Sequence, residues 1–185
     1  MSKAKPTYAS IGVVSEGTLR DEDLISAFAG ELEYYMKRLH LSRGQRKRFA
    51  ALISGTVHAP VDNTPTARYG NRSICRHCDL EIEYVGKWRD RGGNTACVQD
   101  QSELVSKLQD ALDEIAPPYC YFGTAEGDGA CFGFWPSIED SGLPRLADIT
   151  RDHWGGDVLI VNDHGNVTCG HVDRRGRFKA YWDCV

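Results

Sequence analysis

Three cysteines in the middle of the chain constrain its fold more than any other feature. Cys75 and Cys78 form a Cys-x2-Cys turn, and Cys97 follows a segment with the pattern of a hairpin around Gly86-Lys87. Zinc takes thiolate and imidazole ligands in a tetrahedron, and a Cys-x2-Cys turn presents two sulfurs to one side of the ion. The spacing therefore predicts a zinc-ribbon-like segment over residues 71–101, with zinc as a structural cofactor.

The pattern leaves the fourth zinc ligand open. Where a second Cys-x2-Cys pair would end, the chain carries Asp100, whose carboxylate is an acceptable zinc ligand. His77, His58 and a cysteine from the C-terminal part of the chain are the alternatives. Four protein ligands would make a closed structural site, whereas a vacant position would permit hydrolytic chemistry.

The cysteine count also bears on the compartment. The chain has seven cysteines, and its first residues lack the apolar stretch of a secretory signal, so we expect reduced thiols in the cytoplasm. No apolar run approaches the roughly 18 residues that span a bilayer, and no membrane partner is expected. Four cysteines have no metal-ligand spacing and are interpreted as core residues: Cys120, Cys131, Cys169 and Cys184.

Apolar periodicity predicts an α+β fold. Leu24, Phe28 and Leu32 recur at helical spacing after Thr18, and a second helix is predicted from Ser42 to Gly55. A third helix, capped at Ser102, is expected to pack on an antiparallel β-meander of about five strands, because alternation with period two follows from Tyr119 onwards. The predicted divisions are a flexible arm (1–17), a helical hairpin (18–55), a linker (56–70), the zinc-ribbon-like segment (71–101) and an α+β domain (102–185).

Charge is distributed unevenly along the chain. Residues 1–70 carry ten Lys and Arg against seven Asp and Glu, whereas residues 102–185 carry seven against fourteen. A nucleic-acid footprint over the whole chain is therefore not expected. Basic residues concentrate at the turn of the helical hairpin, where they form either a surface for phosphate or an acidic protein, or a solvated helix face: Lys37, Arg38, Arg43, Arg46, Lys47 and Arg48.

The stretch 119–135 is rich in aromatic residues and glycine. Gly127 and Gly129 would permit a tight turn around Asp128. The stretch is either a recognition loop, with Glu126, Asp128, Phe132 and Trp135 as its contact residues, or a hairpin whose aromatic side chains build the core. Asp163-His164 is interpreted as part of a turn. No catalytic residue is predicted, because the chain has no nucleophile elbow and no His-Glu-x-x-His motif.

Three stretches of the chain resemble small uncharacterised zinc-ribbon-containing proteins of actinobacterial bacteriophages and prophages. They are Cys75–Cys78 with Trp88–Cys97, Ala116–Pro136, and Val161–Thr168. The resemblance covers about half of the chain, mainly residues 72–97 and 116–168. It implies a phage origin and the host-cell cytoplasm as the location, and it supplies no catalytic residues.

Three functions follow as hypotheses. The first is a non-enzymatic accessory protein of a phage or mobile element, which binds a host or phage protein and could thereby inhibit a host defence system, with zinc as a structural staple. The second is a nucleic-acid-binding regulator that contacts phosphates through the basic helical hairpin. The third is a zinc-dependent hydrolase with an open metal position. The first agrees best with the lack of a catalytic motif.

Overall fold

The structure is a computed structural model that describes residues 6–57, 72–76, 80–84, 87–91, 97, 101–139 and 141–184. The α+β class predicted from the sequence is confirmed. The helices are α1 (Asp21–Arg38), α2 (Arg43–Gly55) and α3 (Gln101–Asp113). The strands are β1 (Gly12–Ser15), β2 (Arg72–Ile74), β3 (Glu81–Tyr84), β4 (Trp88–Asp90), β5 (Cys120–Ala125), β6 (Asp128–Pro136), β7 (Arg145–Leu146), β8 (Gly156–Val161), β9 (Val167–Val172) and β10 (Phe178–Cys184).

The main core lies between the three helices and a sheet of order β1-β6-β5. The apolar stripe of α1 is buried there, as its helical spacing predicts. The ring of Phe28 meets the rings of Phe122 and Phe132 edge-on, at centroid distances of 5.0 and 5.3 Å. Leu108 and Leu112 of α3 complete this core with no exposed surface.

The start of α1 differs from the predicted one. The helix begins at Asp21, and the Thr18 side chain closes a turn ahead of it instead of capping it. The Thr18 hydroxyl donates to the Asp23 carboxylate at 2.9 Å and accepts from the backbone N–H of Arg20 at 3.2 Å. Because the Thr18 hydroxyl makes both of these bonds in a local turn, it does not cap the helix, which begins three residues after Thr18.

The start and end of α2 are as predicted. The Ser42 hydroxyl accepts from the Gln45 backbone N–H at 3.2 Å, and the Gln45 side chain accepts from the Ser42 N–H at 2.9 Å. This reciprocal capping box satisfies two N–H groups that the first turn leaves without partners. None of the helices in the described ranges is long and apolar enough to cross a bilayer.

The segment expected to be a flexible arm contributes an edge strand, although residues 1–5 lie outside the described ranges. β1 pairs antiparallel with β6, with Val13 opposite Gly133. A Cβ atom on Gly133 would lie 2.3 Å from the carbonyl oxygen of Gly12, so the close approach of the two strands requires glycine. The N–H of Ala9 also donates to the carbonyl of Ile115 at 2.8 Å.

The strands expected to form one meander are divided between two sheets. β5 and β6 belong to the sheet with β1, whereas β8, β9 and β10 form a second sheet to which β7 adds in parallel. The division falls in the connection 137–155, where Gly142 has a φ of +64° and Pro144 has no N–H for a strand ladder. α3 therefore packs against β5 and α1, and not across a five-stranded sheet.

Candidate functional site

The cysteine segment contains a small antiparallel sheet of order β2-β3-β4. β3 and β4 correspond to the hairpin predicted around Gly86-Lys87, of which Gly86 lies outside the described ranges. Cys75 directly follows β2, and its N–H donates to the carbonyl of Leu80 at 2.8 Å. The N–H of Cys97 donates to the carbonyl of Thr56, the residue after α2, at 3.1 Å. The second bond places Cys97 beside the end of α2, and the Cys75 thiol lies against Cys97.

The two buried thiols have the separation of a pair of zinc ligands. The Sγ atoms of Cys75 and Cys97 are 3.7 Å apart, and the residues are 0% and 1% exposed. A disulfide would need about 2.05 Å. Two thiolates at the usual Zn–S distance span about 3.8 Å across a tetrahedral angle. The observed distance also permits a weak S–H···S hydrogen bond between protonated thiols, so metal content distinguishes the two states.

The remaining predicted ligands, Cys78 and Asp100, lie outside the described residues, as do the alternatives His58 and His77. Within the described ranges, no group of three or more His, Cys, Asp or Glu side chains could hold a metal ion. The structure therefore positions two of the predicted zinc ligands, and the zinc site stays a prediction.

Apolar side chains cover one side of the thiol pair. Ile82 of β3 is 1% exposed, and Trp88 of β4 packs against the same cluster. At the surface of this sheet, Glu81 accepts hydrogen bonds from Arg91, and this contact holds the pKa of the Glu81 carboxyl below its usual value. Arg72 lies 3.7 Å from the other oxygen of the same carboxylate. The thiol pair is thus shielded from water on the side of Ile82 and Trp88.

Four of the six residues in the predicted basic cluster have partners within the chain. The Arg46 guanidinium donates to the carbonyls of Met36 and Leu39 at 2.6 and 3.0 Å, which satisfies groups left open at the end of α1. Lys37 pairs with Glu33 at 2.8 Å. Arg38 stacks on the Tyr34 ring at 3.6 Å, and Arg48 pairs with Glu114.

Arg43 and Lys47 complete the basic cluster, and both are exposed on α2. Among the described carboxylates, none forms an ion pair with either residue. Two cations on one helix face give a much smaller phosphate surface than the six that the sequence predicts. Of the six cations, Arg46 thus holds the turn of the hairpin, Arg48 links α2 to the end of α3, and two make contacts within α1.

The predicted recognition loop is a hairpin with a polar tip and a buried base. Glu126 and Asp128 are exposed at the turn, and Gly127 has the positive φ, +80°, that the turn requires. Phe132 is only 8% exposed and faces Phe28 in the core. Trp135 is half-buried and donates its Nε1–H to the carbonyl of Gly123 at 3.0 Å. The aromatic residues build the sheet, which agrees with the alternative interpretation.

The four isolated cysteines have different environments. Cys131 and Cys169 are buried, as predicted, and Cys120 is half-buried, whereas Cys184 at the end of β10 is exposed. Burial raises the pKa of the Cys120 thiol to about 12 and that of Cys169 to about 11. These two thiols are therefore protonated at neutral pH and poor nucleophiles.

A cluster around Asp157 was not predicted from the sequence. Asp157 lies at the start of β8, where its Oδ2 accepts a hydrogen bond from the Tyr119 hydroxyl at 2.7 Å. Its Oδ1 lies 2.6 Å from Nδ1 of His171 and accepts from the Tyr181 hydroxyl at 3.1 Å. We call these four residues the Asp157 cluster. One carboxylate thus joins β8, β9 and β10 to the start of β5.

The protonation states within the Asp157 cluster follow from these contacts. Burial raises the pKa of Asp157, but the hydrogen bonds from His171 and the two tyrosines outweigh burial and leave the pKa below its usual value. The hydrogen bond to Asp157 raises the pKa of Tyr119 to about 12, and burial raises that of Tyr181 to about 12. Asp157 is therefore ionised at neutral pH, and both phenols are neutral donors.

Ionised Asp157 also fixes the tautomer of His171. Nδ1 carries the proton and donates to the carboxylate, so the lone pair of the neutral ring is on Nε2. The His171 side chain is 40% exposed, whereas the Asp157 side chain is 24% exposed. The carboxylate can therefore hold the His171 ring, with Nε2 as a proton acceptor, in one orientation at the surface. Its three hydrogen bonds can also hold the second sheet against the start of β5, and we call this role the clasp.

The backbone is distorted at both tyrosines of the Asp157 cluster. Among the described residues, Tyr119 is the one non-glycine residue with a positive φ, +61°. The Trp182 indole N–H donates to the carbonyl of Pro118 at 2.7 Å, and the Tyr119 carbonyl accepts from the Ser137 N–H at 2.8 Å. Tyr181 lies in a bulge of β10, between Ala180 and Trp182. These distortions direct both hydroxyls to one carboxylate.

The sequence does contain a signal for part of the Asp157 cluster. Asn162 accepts hydrogen bonds from the backbone N–H groups of His164 and Asn166, which confirms the predicted turn. Val161 pairs with Val167 beside this turn, and four pairs further along the same two strands Asp157 pairs with His171. The hairpin register therefore predicts the dyad, whereas the bulge and the positive φ that bring in the tyrosines have no such signal.

A groove of about 870 Å³ lies between α2 and α3. Its apolar surface includes Phe49 and Leu52 of α2 with Leu104 of α3. Two ion pairs border it, Arg48 with Glu114 and Glu103 with Lys107. The groove is lined by Arg48, Phe49, Ala51, Leu52, Gly55, Glu103, Leu104, Lys107, Asp110, Ala111 and Glu114.

The thiol pair is linked to one end of this groove. Gly55 lines the groove, and the next residue, Thr56, accepts the hydrogen bond from Cys97. α3 begins at Gln101, shortly after Cys97 in the chain. A metal ion bound to Cys97 would therefore fix this residue between the end of α2 and the start of α3.

Comparison with protein-family models, with curated proteins and with solved structures gives no match for this chain.

Proposed function

We propose that this chain is a non-enzymatic binding protein that takes a helical segment of a partner protein into the groove between α2 and α3, with zinc as a structural staple. The observation that carries the proposal is the position of the Cys75–Cys97 thiol pair at the end of that groove. A zinc ion bound there would limit how far α2 and α3 can separate. Loss of the metal should therefore weaken partner binding.

The chemistry of the groove favours an amphipathic helix as its occupant. An apolar floor bordered by charges takes apolar side chains spaced at three and four residues along a helix. In each ion pair at the border, the two charges cancel. Asp110 also lines the groove, and none of the described basic residues forms an ion pair with it. A Lys or Arg beside the apolar face of the partner helix would complement Asp110. The resemblance to phage proteins supports a protein of an actinobacterial host as the partner, and a component of a host defence system is the version we propose to test.

Two adjacent alanines of α2 give a matched test of the groove. Ala51 lines the groove, whereas Ala50 is exposed and does not. Arginine has nearly the helix propensity of alanine, so Ala51→Arg fills the groove without weakening α2, and Ala50→Arg adds the same charge outside it. Quantitative capture from actinobacterial extracts, followed by calorimetry with the purified candidate, would compare the two variants. We expect Ala51→Arg to lose at least tenfold in affinity and Ala50→Arg to bind as the wild type. Equal binding by both variants would refute the groove as the site.

The zinc staple is tested separately by metal analysis of protein purified without added zinc. We expect about one zinc per chain, and Cys97→Ser should lower that content and weaken partner binding. Cys184→Ser serves as the control, because this exposed thiol lies at the end of β10, in a different sheet from the one beside Cys75, and forms no metal-binding group with other described side chains. A wild type without zinc that still binds its partner would reject the staple and retain the groove.

A further inference from the structure

An exposed tryptophan lies against the β9–β10 turn on the far sheet. Trp154 follows a 3-10 turn over Arg151–His153 and is 41% exposed. Gly176 in the β9–β10 turn has a φ of +76°, and a Cβ atom there would lie 2.6 Å from the indole ring. The indole therefore packs directly on the turn backbone, and this contact requires glycine at position 176. The packing holds a large aromatic ring at the surface in a fixed position.

Arginine residues lie on both turns that meet at this indole. The Arg151 guanidinium lies 5.6 Å from the ring centroid, and a Cβ atom on Gly155 would contact the Arg174 stem at 3.7 Å. Arg174 and Arg175 are exposed, and among the described carboxylates none forms an ion pair with them. The nearby Asp173 already pairs with Arg177 at 2.8 Å. Asp152 is also exposed here, but the arginines at 151, 174, 175 and 177 outnumber Asp152 and Asp173, so the surface around Trp154 is net positive, although residues 102–185 as a whole are acidic.

We infer that Trp154 with Arg151, Arg174 and Arg175 forms a binding surface for single-stranded nucleic acid. A base would stack on the indole, and the arginines would contact the phosphates on either side of it. An acidic protein could use both the arginines and the ring, but a nucleotide places a flat base between two phosphates, which matches one indole with arginines on the turns at either side of it. In the basic cluster on α1 and α2, Arg38 covers the Tyr34 ring at 3.6 Å and Arg46 caps α1, whereas Arg151 lies 5.6 Å from the Trp154 centroid. This surface is separate from the groove and goes beyond the proposed function.

The test uses the full chain with fluorescein-labelled oligothymidylate and oligouridylate, read by anisotropy and by quenching of tryptophan fluorescence over a range of salt. Stacking of one base contributes enough that Trp154→Ala should lower affinity about 5- to 150-fold, and Trp154→Phe should recover part of the loss. Arg174→Glu with Arg175→Glu should lower affinity and reduce the slope of log K against log salt by about 1.4. The exposed Arg145 of β7 provides the control, since Arg145→Glu makes the same type of charge change on another strand.

Three results would overturn the inference. The first is no binding of either oligonucleotide at low salt. The second is an equal loss per charge removed in Arg145→Glu, which changes one charge site, and in the double variant, which changes two, because net charge alone would then explain the binding. The third is equal affinity for duplex and single strand with no effect of Trp154→Ala, because phosphate contacts without stacking would then explain the binding. Unfolding temperatures of all variants, measured by circular dichroism, separate loss of binding from loss of fold.

Discussion

Replacing Asp157 by asparagine tests whether the Asp157 cluster clasps the two sheets. The substitution keeps the shape of the side chain but removes its charge and turns one acceptor oxygen into a donor. Tyr119 donates to Oδ2, whereas His171 and Tyr181 share Oδ1. Asparagine can retain the contacts to its single oxygen in a weaker, neutral form. At the other position its NH2 group would face a hydroxyl that must rotate or lose its partner.

The expected cost follows from the three hydrogen bonds. A hydrogen bond to a charged group contributes about 1.5 to 3 kcal/mol, and the 24% exposure of the Asp157 side chain places each bond nearer to 1 kcal/mol. We therefore expect Asp157→Asn to lower the free energy of unfolding by about 2 to 3 kcal/mol. For a chain of this length, that corresponds to a fall in Tm of about 4 to 12 °C.

Urea unfolding followed by tryptophan fluorescence measures this change directly. Trp182 reports on the clasp, because its indole N–H bonds to Pro118 beside Tyr119. The control is Asp163→Asn, which makes the same chemical change in the exposed turn between β8 and β9. Equal destabilisation by the two substitutions would refute the argument that the three hydrogen bonds of Asp157 stabilise the fold.

The pH dependence gives an independent check with a defined sign. The pKa of Asp157 in the folded state is below its value in the unfolded chain, near 3.9. Its contribution to stability is therefore present above about pH 4 and lost as the pH falls through the folded-state pKa. The difference in the free energy of unfolding between wild type and Asp157→Asn should shrink as the pH falls below about 4. A difference that grows below pH 4 would contradict the assignment.

The remaining predictions concern glycines and thiols. Gly133→Ala should lower the free energy of unfolding in urea by about 2 to 3 kcal/mol, because the added Cβ would lie 2.3 Å from a β1 carbonyl oxygen. Gly129→Ala on the same strand is the control: its Cβ would meet nothing within 4 Å, and the substitution should cost under about 1 kcal/mol. Gly176→Ala should cost at least 1 kcal/mol more than Gly165→Ala, because both have positive φ but only the first would strike the indole; equal costs would contradict that contact. Alkylation of the native protein by iodoacetamide at pH 8, read by peptide mass spectrometry, should modify Cys184 early and the buried Cys169 only upon unfolding; early labelling of Cys169 would contradict its burial and its raised pKa.

The local elements could be predicted from the sequence because their signals lie within a few residues. Ser42 and Gln45 form the capping box that their spacing predicts, and Asn162 makes the turn that Asn and Gly indicate. The stripe through Phe28 is buried because helical periodicity predicts a single apolar face. Each of these features depends on contacts within one element or one turn.

The arrangement of the sheets could not be predicted in the same way. Period-two alternation shows which residues form strands but not which strands pair, so β1 and the division into two sheets had no local signal. The same limit applies to the basic cluster, where the role of Arg46 depends on where the end of α1 lies relative to α2. Tyr119 reaches Asp157 because its backbone has a positive φ. Tyrosine rarely adopts a positive φ, so the residue type at position 119 predicted an ordinary, negative φ.

The edge-on contacts of Phe28 have a consequence for synthesis of the chain. Phe122 and Phe132, which cover Phe28, are translated roughly a hundred residues after it. At about 5 to 20 residues per second, the apolar stripe of α1 leaves the ribosome about 5 to 20 seconds before its sheet exists. The nascent helical hairpin thus exposes apolar side chains of the kind that chaperones bind. Slow codons between α2 and β5 would lengthen that exposure and lower the yield of folded protein.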